Sequence, residues 1–257
     1  MSKTQQHGFT LIESLLFLAI TGTLIIAILA GTGAAINTQR YRDSVASLKS
    51  SVQSQYSDVI NVRNEERVGG LTCDSEAQAT QSGAAQQRGQ TDCVVMGRYI
   101  VIDDNVMTAY TVIGYNPAPT TQYANDIAEL QDYNLSRLTA DAEAKELEWG
   151  AQIAWPVSGS GFRNPTTPRT FSMLILRSPT SGLVYTFTAD SDVSDIETMV
   201  IAGTTQTNDL YGQAQRRICV VSGDGAPGSL AVVIPAYASG QSAIEIRTND
   251  MGDNSRC

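Results

Sequence analysis

The stretch Gly8-Phe9-Thr10-Leu11-Ile12-Glu13 opens an apolar run that carries no further charge until Arg40. The eight residues before Phe9 are mostly polar, hold one charge at Lys3 and end in a glycine. A carboxylate placed in hydrocarbon costs roughly 2.5–3.5 kcal/mol on insertion scales, so Glu13 calls for a partner. Residues 9–36 are dominated by Leu, Ile, Ala and Phe, with only Thr, Ser, Gly and Glu13 interrupting. Such a run predicts one helix long enough to cross a bilayer with some tilt. Gly22, Gly31 and Gly33 lower helix propensity by about 1 kcal/mol each in water. In a membrane the same small residues are ordinary, and they also let neighbouring helices approach closely.

The combination of Gly8, Phe9, Glu13 and the long apolar run resembles the prepilin signal of type IV pilins and of the related pseudopilins of secretion systems. A plain signal anchor gains nothing from Glu13. A secretory signal peptide has a shorter apolar core, although Gly33-Ala34-Ala35 has the small residues of a cleavage site. The resemblance implies that a prepilin peptidase cuts after Gly8 and that the new terminal Phe9 is N-methylated. It also implies that Glu13, five residues into the mature chain, is required for assembly through the helix with other pilin subunits. The physical sense is that each incoming ammonium neutralises an acid already in the bundle, where a low dielectric strengthens the pair. The helix dipole alone stabilises a carboxylate near its N-terminus by a few tenths of a kcal/mol, too little to offset insertion. Many major pilins have a proline in the second half of this helix, and this chain has none there.

Beyond Ile36 the apolar residues become periodic. Tyr41, Val45, Leu48, Val52, Tyr56, Val59 and Ile60 step by threes and fours, which predicts an amphipathic helix continuing the first over 37–68. Gly69-Gly70 provides its stop. A helix with such a stripe needs a body to bury it, and the family resemblance implies an antiparallel β-rich head, an α+β fold with a pilin-like layout. The sequence over 69–257 reads accordingly. Val94–Asp103 and Met107–Tyr115 flank a polar turn; Phe171–Arg177 and Leu183–Thr188 flank Ser178–Gly182; Arg217–Val221 and Ser229–Ile234 flank a glycine-rich turn. Ala243–Arg247 adds a last strand. Ala124–Leu147, rich in Ala, Glu, Leu and Asp, predicts an inserted helix, and Ala77–Gln90 predicts a flexible loop. A head of about 190 residues suits one domain. It is large for a main fibre subunit, which favours a minor pilin or pseudopilin.

Four cysteines, Cys73, Cys93, Cys219 and Cys257, allow three pairings, and spacing does not choose among them. Nearest-neighbour pairing would tie Cys257 back to a strand, a placement similar to the disulfide-bounded region of type IV pilins. A head outside the cytoplasmic membrane, as the family implies for a single-pass subunit entering an extracellular or periplasmic filament, favours bridges over thiols. Charge counting pulls the other way, because Arg40 and Arg42 outnumber Lys3 across the apolar run.

The only histidine, His7, lies in the leader, so a processed chain has none and lacks His-based triads and His-ligated zinc. No phosphate-loop pattern follows Gly223-Asp224-Gly225. These features predict a non-enzyme without a cofactor. Asp190, Asp192, Asp195 and Glu197 could offer oxygens to calcium, though not at EF-hand spacing; a solvated acidic loop is the simpler reading. The formal charge of −9 disfavours nucleic acid, and the single dense basic pair, Arg216-Arg217, reads as exposed charge on a strand edge. Asn134-Leu135-Ser136 matches a glycosylation sequon. Two other readings stay open: a tip adhesin or DNA-uptake minor pilin, and an unrelated single-pass membrane-anchored surface protein.

Overall fold

Fifty residues of unbroken helix, α1 (Leu11–Ile60), begin the computed structural model. The structure describes residues 10–61, 71–81, 93–154, 157–158, 169–204, 211–212, 215–222, 230–248 and 255–257. The chain divides after Arg42 into two compact units. In the second unit the predicted stripe is real: Val45, Leu48, Val52, Tyr56 and Val59 are buried, joined by Ser44 and Gln55. Each large apolar member contributes roughly 1.5–3 kcal/mol of transfer free energy. Ile60, at the end of the stripe, stays exposed.

After α1 come β1 (Leu71–Cys73), β2 (Ala79–Gln81), β3 (Cys93–Asp103) and β4 (Val106–Tyr115). Then follow α2 (Asp126–Asp132), β5 (Asn134–Glu146), β6 (Gln152–Ala154), β7 (Val157–Ser158), β8 (Thr170–Arg177) and β9 (Val184–Ala189). The chain continues through α3 (Glu197–Thr204), β10 (Tyr211–Gly212), β11 (Arg216–Val221), β12 (Leu230–Ile234), β13 (Glu245–Thr248) and β14 (Ser255–Arg256). A six-stranded antiparallel sheet runs β10-β9-β8-β3-β4-β5, and a four-stranded one runs β13-β12-β11-β6. The three expected hairpins form as antiparallel pairs, β3 with β4, β8 with β9 and β11 with β12. Asp104 has φ 52°, a left-handed value that a short turn between β3 and β4 requires and that Asp tolerates. The glycine-rich turn at 223–225 lies outside the described residues.

The two faces of the large sheet have different covers. Arg98 reaches Asp58 of α1, so by strand alternation Arg98, Ile100 and Ile102 face that helix. Tyr99 and Val101 face the other way, into a core shared with Leu130 of α2 and with Met199 and Val200 of α3. Where β3 bulges between Val95 and Gly97, a Cβ on Gly97 would lie 1.9 Å from the Ile175 carbonyl oxygen, so only glycine fits.

Three expectations are corrected. Ala124–Leu147 is helical only over Asp126–Asp132, and most of it is the edge strand β5. Helix-favouring composition hid a period of two, with Ala140, Ala142 and Ala144 alternating with Asp141, Glu143 and Lys145. Pairing with β4 overrides the propensity. Ala77–Gln90 is not all loop: Ala77 is buried and Ala79–Gln81 is a strand, while 82–90 falls outside the described residues. Arg216 and Arg217 lie on β11, which has a partner strand on each side, and Arg217 is buried.

Candidate functional site

The first turn of α1 places the acid that the sequence singled out. Thr10 stands just ahead of the helix; its hydroxyl accepts from the Glu13 backbone N–H at 3.4 Å. Its carbonyl accepts from Ser14 N–H at 3.2 Å. Thr10-x-x-Glu13 is therefore a capping-box sequence, a signal that the apolar reading of the run passed over. Glu13 sits exposed in that turn, the position where the helix dipole favours an anion. Gly8 and Phe9 lie outside the described residues.

Around and after Glu13 the helix is apolar on every side. Leu15, Leu16, Phe17, Leu18, Leu24, Ile25, Ile26 and Leu29 are exposed, and the most apolar window has none of its residues buried inside the protein. The helix is long and apolar enough to cross a membrane. Its few polar groups are turned back on the helix: Thr21, Thr23, Thr32 and Thr38 donate their hydroxyls to carbonyls three or four residues earlier. A hydroxyl bonded this way needs no water, which suits an apolar medium.

The head carries the other singled-out residues. Disulfides join Cys73 to Cys93 and Cys219 to Cys257, closing sequence separations of 20 and 38. Chain-entropy estimates put these near 3 and 4 kcal/mol. The first holds the β1-β2 hairpin to β3 beside Ala77, Ile113 and Leu138, and the second ties the chain's last residue to β11.

Of the acidic residues of 190–197, Asp190, Asp192 and Glu197 each have separate protein partners, while Asp195 is exposed. Asp190 receives Arg169 at 3.0 Å and Arg216 at 3.4 Å. Arg169 also donates to the carbonyls of Ala154 and Arg217, so a buried guanidinium ties the end of β6 and β11 to the start of β8. Asp192 takes Arg137 and the Tyr99 hydroxyl, both at 2.9 Å. Glu197 accepts the Leu135 N–H at 2.7 Å. Among the described residues no three His, Cys, Asp or Glu side chains gather as a metal site. Asn134 uses its side-chain amide on the Ser75 carbonyl.

The grip of the head on α1 is polar as well as apolar. Tyr56 bonds Thr186 at 2.8 Å, and Thr186 in turn donates to the Ala238 carbonyl at 2.7 Å. Burial pushes the Tyr56 hydroxyl up to about 12. Arg98 bridges Asp58 and Asp141, and Arg177 donates to the Ile60 carbonyl at the helix end. Gln53 donates to the Gln241 carbonyl at 2.7 Å. Sequence reading missed these partners because each pairs residues dozens of positions apart.

Neither the models of known protein families, nor curated proteins, nor solved structures show a match to this chain.

Proposed function

We propose that the protein is a pilin-like structural subunit, a minor pilin or pseudopilin of a type IV pilus or a related secretion or competence filament. In this reading a prepilin peptidase cuts after Gly8, the cytoplasmic-membrane helix enters a bundle of like helices, and the head stays outside. The observation that supports it is one juxtaposition: a lone carboxylate in the first turn of a helix whose apolar surface is not buried among the described residues. A mere tether explains the apolar surface and leaves the acid without a purpose. A subunit that must pair a new amine with a neighbour's carboxylate uses both.

Mass spectrometry of the mature amino terminus tests the processing step. A chain beginning at N-methylated Phe9 is expected; an intact Met1, or a cut near Ala35, would sink the reading. Assembly has its own test in Glu13→Ala. That variant should insert in the membrane normally and be recovered in sheared filaments at a tenth of the wild-type level or less, by analogy with losing roughly 1.4 kcal/mol or more of pairing. Normal incorporation would remove Glu13 from the mechanism.

A further inference from the structure

Trp149 is the largest exposed apolar side chain among the described residues of the head, 58% open to solvent. Its backbone sits at φ 59°, and Gly150 follows at φ 64°. A bulky residue in the left-handed region is strained, and such strain persists only where the surroundings impose it. Here the flanks of the turn impose it. Leu147 is buried and its N–H donates to the Asn105 carbonyl at 2.8 Å; Ala151 is buried and its N–H donates to the Glu148 carbonyl at 3.2 Å. Folding alone would favour a glycine at 149, because an indole left in water repays little of that cost.

The contacts of the large sheet with α1 locate this turn. Arg98 of β3 meets Asp58, and Lys145 of β5 donates to Ser51 at 3.2 Å. Ile102, four residues on from Arg98, pairs with Met107, and Met107 pairs with Lys145. The strands therefore follow α1 from Asp58 back toward Asp43, at about 3.3 Å per residue. Trp149, four residues beyond Lys145, lies at the end of the head where α1 enters it. The folded unit begins at Asp43, and Ile36, the last residue of the apolar run, precedes it by seven residues of helix. Those seven residues rise about 10 Å. The headgroup layer on one side of a bilayer is about 5–8 Å thick. Arg40-Tyr41-Arg42, within the same seven residues, has the composition of an interfacial anchor. Glu146 and Glu148, next to Trp149 in the chain, are both exposed.

We infer that Trp149 is a lipid anchor of the head: its indole enters the headgroup layer of the bilayer that α1 crosses and lies against the ammonium of a zwitterionic phospholipid. An indole suits that layer because its body is apolar and its N–H needs a polar partner. Its π face attracts an ammonium, and Glu146 and Glu148 add to the attraction while disfavouring anionic headgroups. Tethering through α1 keeps this end of the head beside the bilayer, so one weak contact is enough to hold it there. The anchoring rests on the membrane crossing proposed above and not on filament assembly.

Tryptophan emission of the full chain in phosphatidylcholine nanodiscs reads the contact. Trp155→Phe leaves Trp149 as the sole tryptophan. A nitroxide on the lipid headgroup should quench most of its emission, and a nitroxide deep on the acyl chain should quench little. As a check that does not depend on that variant, the wild-type chain should lose a larger share of its emission to the headgroup nitroxide than Trp149→Phe does. Replacing part of the phosphatidylcholine by phosphatidylglycerol should weaken the quenching, and Glu146→Gln/Glu148→Gln should remove that dependence. Quenching that ignores lipid charge would overturn the ammonium contact. Emission indifferent to the headgroup nitroxide, in a chain that co-elutes with nanodiscs, would overturn the anchor and leave the membrane crossing standing. A chain that never enters nanodiscs would overturn both. An indole silent in nanodiscs whose emission shifts only in assembled filaments would assign Trp149 to a neighbouring subunit instead.

Discussion

Leu24 and Leu48 occupy the same helix, and the surroundings of the two leucines have nothing in common. Leu24 exposes about half of its surface (55%), whereas Leu48 exposes 1%. The upstream half of α1 is apolar on every face and its most apolar window is not buried among the described residues; the downstream half confines its apolar residues to one stripe and buries them. Helical geometry is identical in both, so what differs is the solvent each half is written for. An all-round apolar surface suits hydrocarbon or like helices, and a stripe suits a folded body. Polar groups follow the same division. Upstream hydroxyls bond back within their own turn, while downstream Ser51, Gln53, Tyr56 and Asp58 bond to strands and loops of the head.

The sharpest way to break this comparison is a matched truncation. Leu48→Ala should cost the head about 2–5 kcal/mol, read by chemical denaturation of the full chain in detergent, whereas Leu24→Ala should leave the head's transition in place. Equal effects would mean that the two halves are not separate environments. Next in size is the bridge at the last residue: Cys219→Ser/Cys257→Ser should lower head stability by roughly 4 kcal/mol without changing membrane insertion.

A smaller effect separates the polar grip from the apolar one. Thr186→Val takes away the buried partner of Tyr56 and should cost about 1–3 kcal/mol in the same assay. The Tyr56 hydroxyl also makes a pH prediction. With its pKa raised to about 12 in the fold and an ordinary value near 10 when unfolded, its contribution is fully present below pH 10. Between pH 10 and about 12 the unfolded chain loses the proton first, so stability falls as pH rises. Tyr56→Phe should flatten part of that decline; Tyr99 and Tyr123, raised likewise to about 12, and Tyr133 and Tyr185, raised as well, keep the rest. An alkaline slope indifferent to Tyr56→Phe would place the titration elsewhere. A range similar to that of Thr186→Val is expected for Arg98→Met, which takes a mostly buried guanidinium away from Asp58, Asp141 and Thr111.

The legible parts of this molecule are those whose signal is local. The stripe from Val45 to Val59 repeats at helical spacing, and the pair Val94–Asp103 and Met107–Tyr115 alternates around a polar turn. Such patterns survive inspection of a dozen residues at a time. β5 was illegible because its alternating residues are alanines, which say little about burial and much about helix propensity. Within the acidic segment at 190–197, Asp190 departs from the solvated reading for a related reason. Asp190 looks solvated until Arg169 and Arg216 arrive from other strands, and nothing near it in sequence announces them.

By itself the sequence determined that an apolar helix precedes an amphipathic one, that strands follow, and that a single acid stands at the head of the helix. Each of these depends on periodicity and composition, which neighbouring residues carry among themselves. Tertiary structure alone decided which cysteines meet, that the large sheet is covered on both faces, and that Arg169 ties the second sheet to it. Those outcomes depend on which residues approach one another after the chain has turned back many times. Their energies, from disulfide closure, buried charge pairing and side-chain packing, exist only once that approach is made.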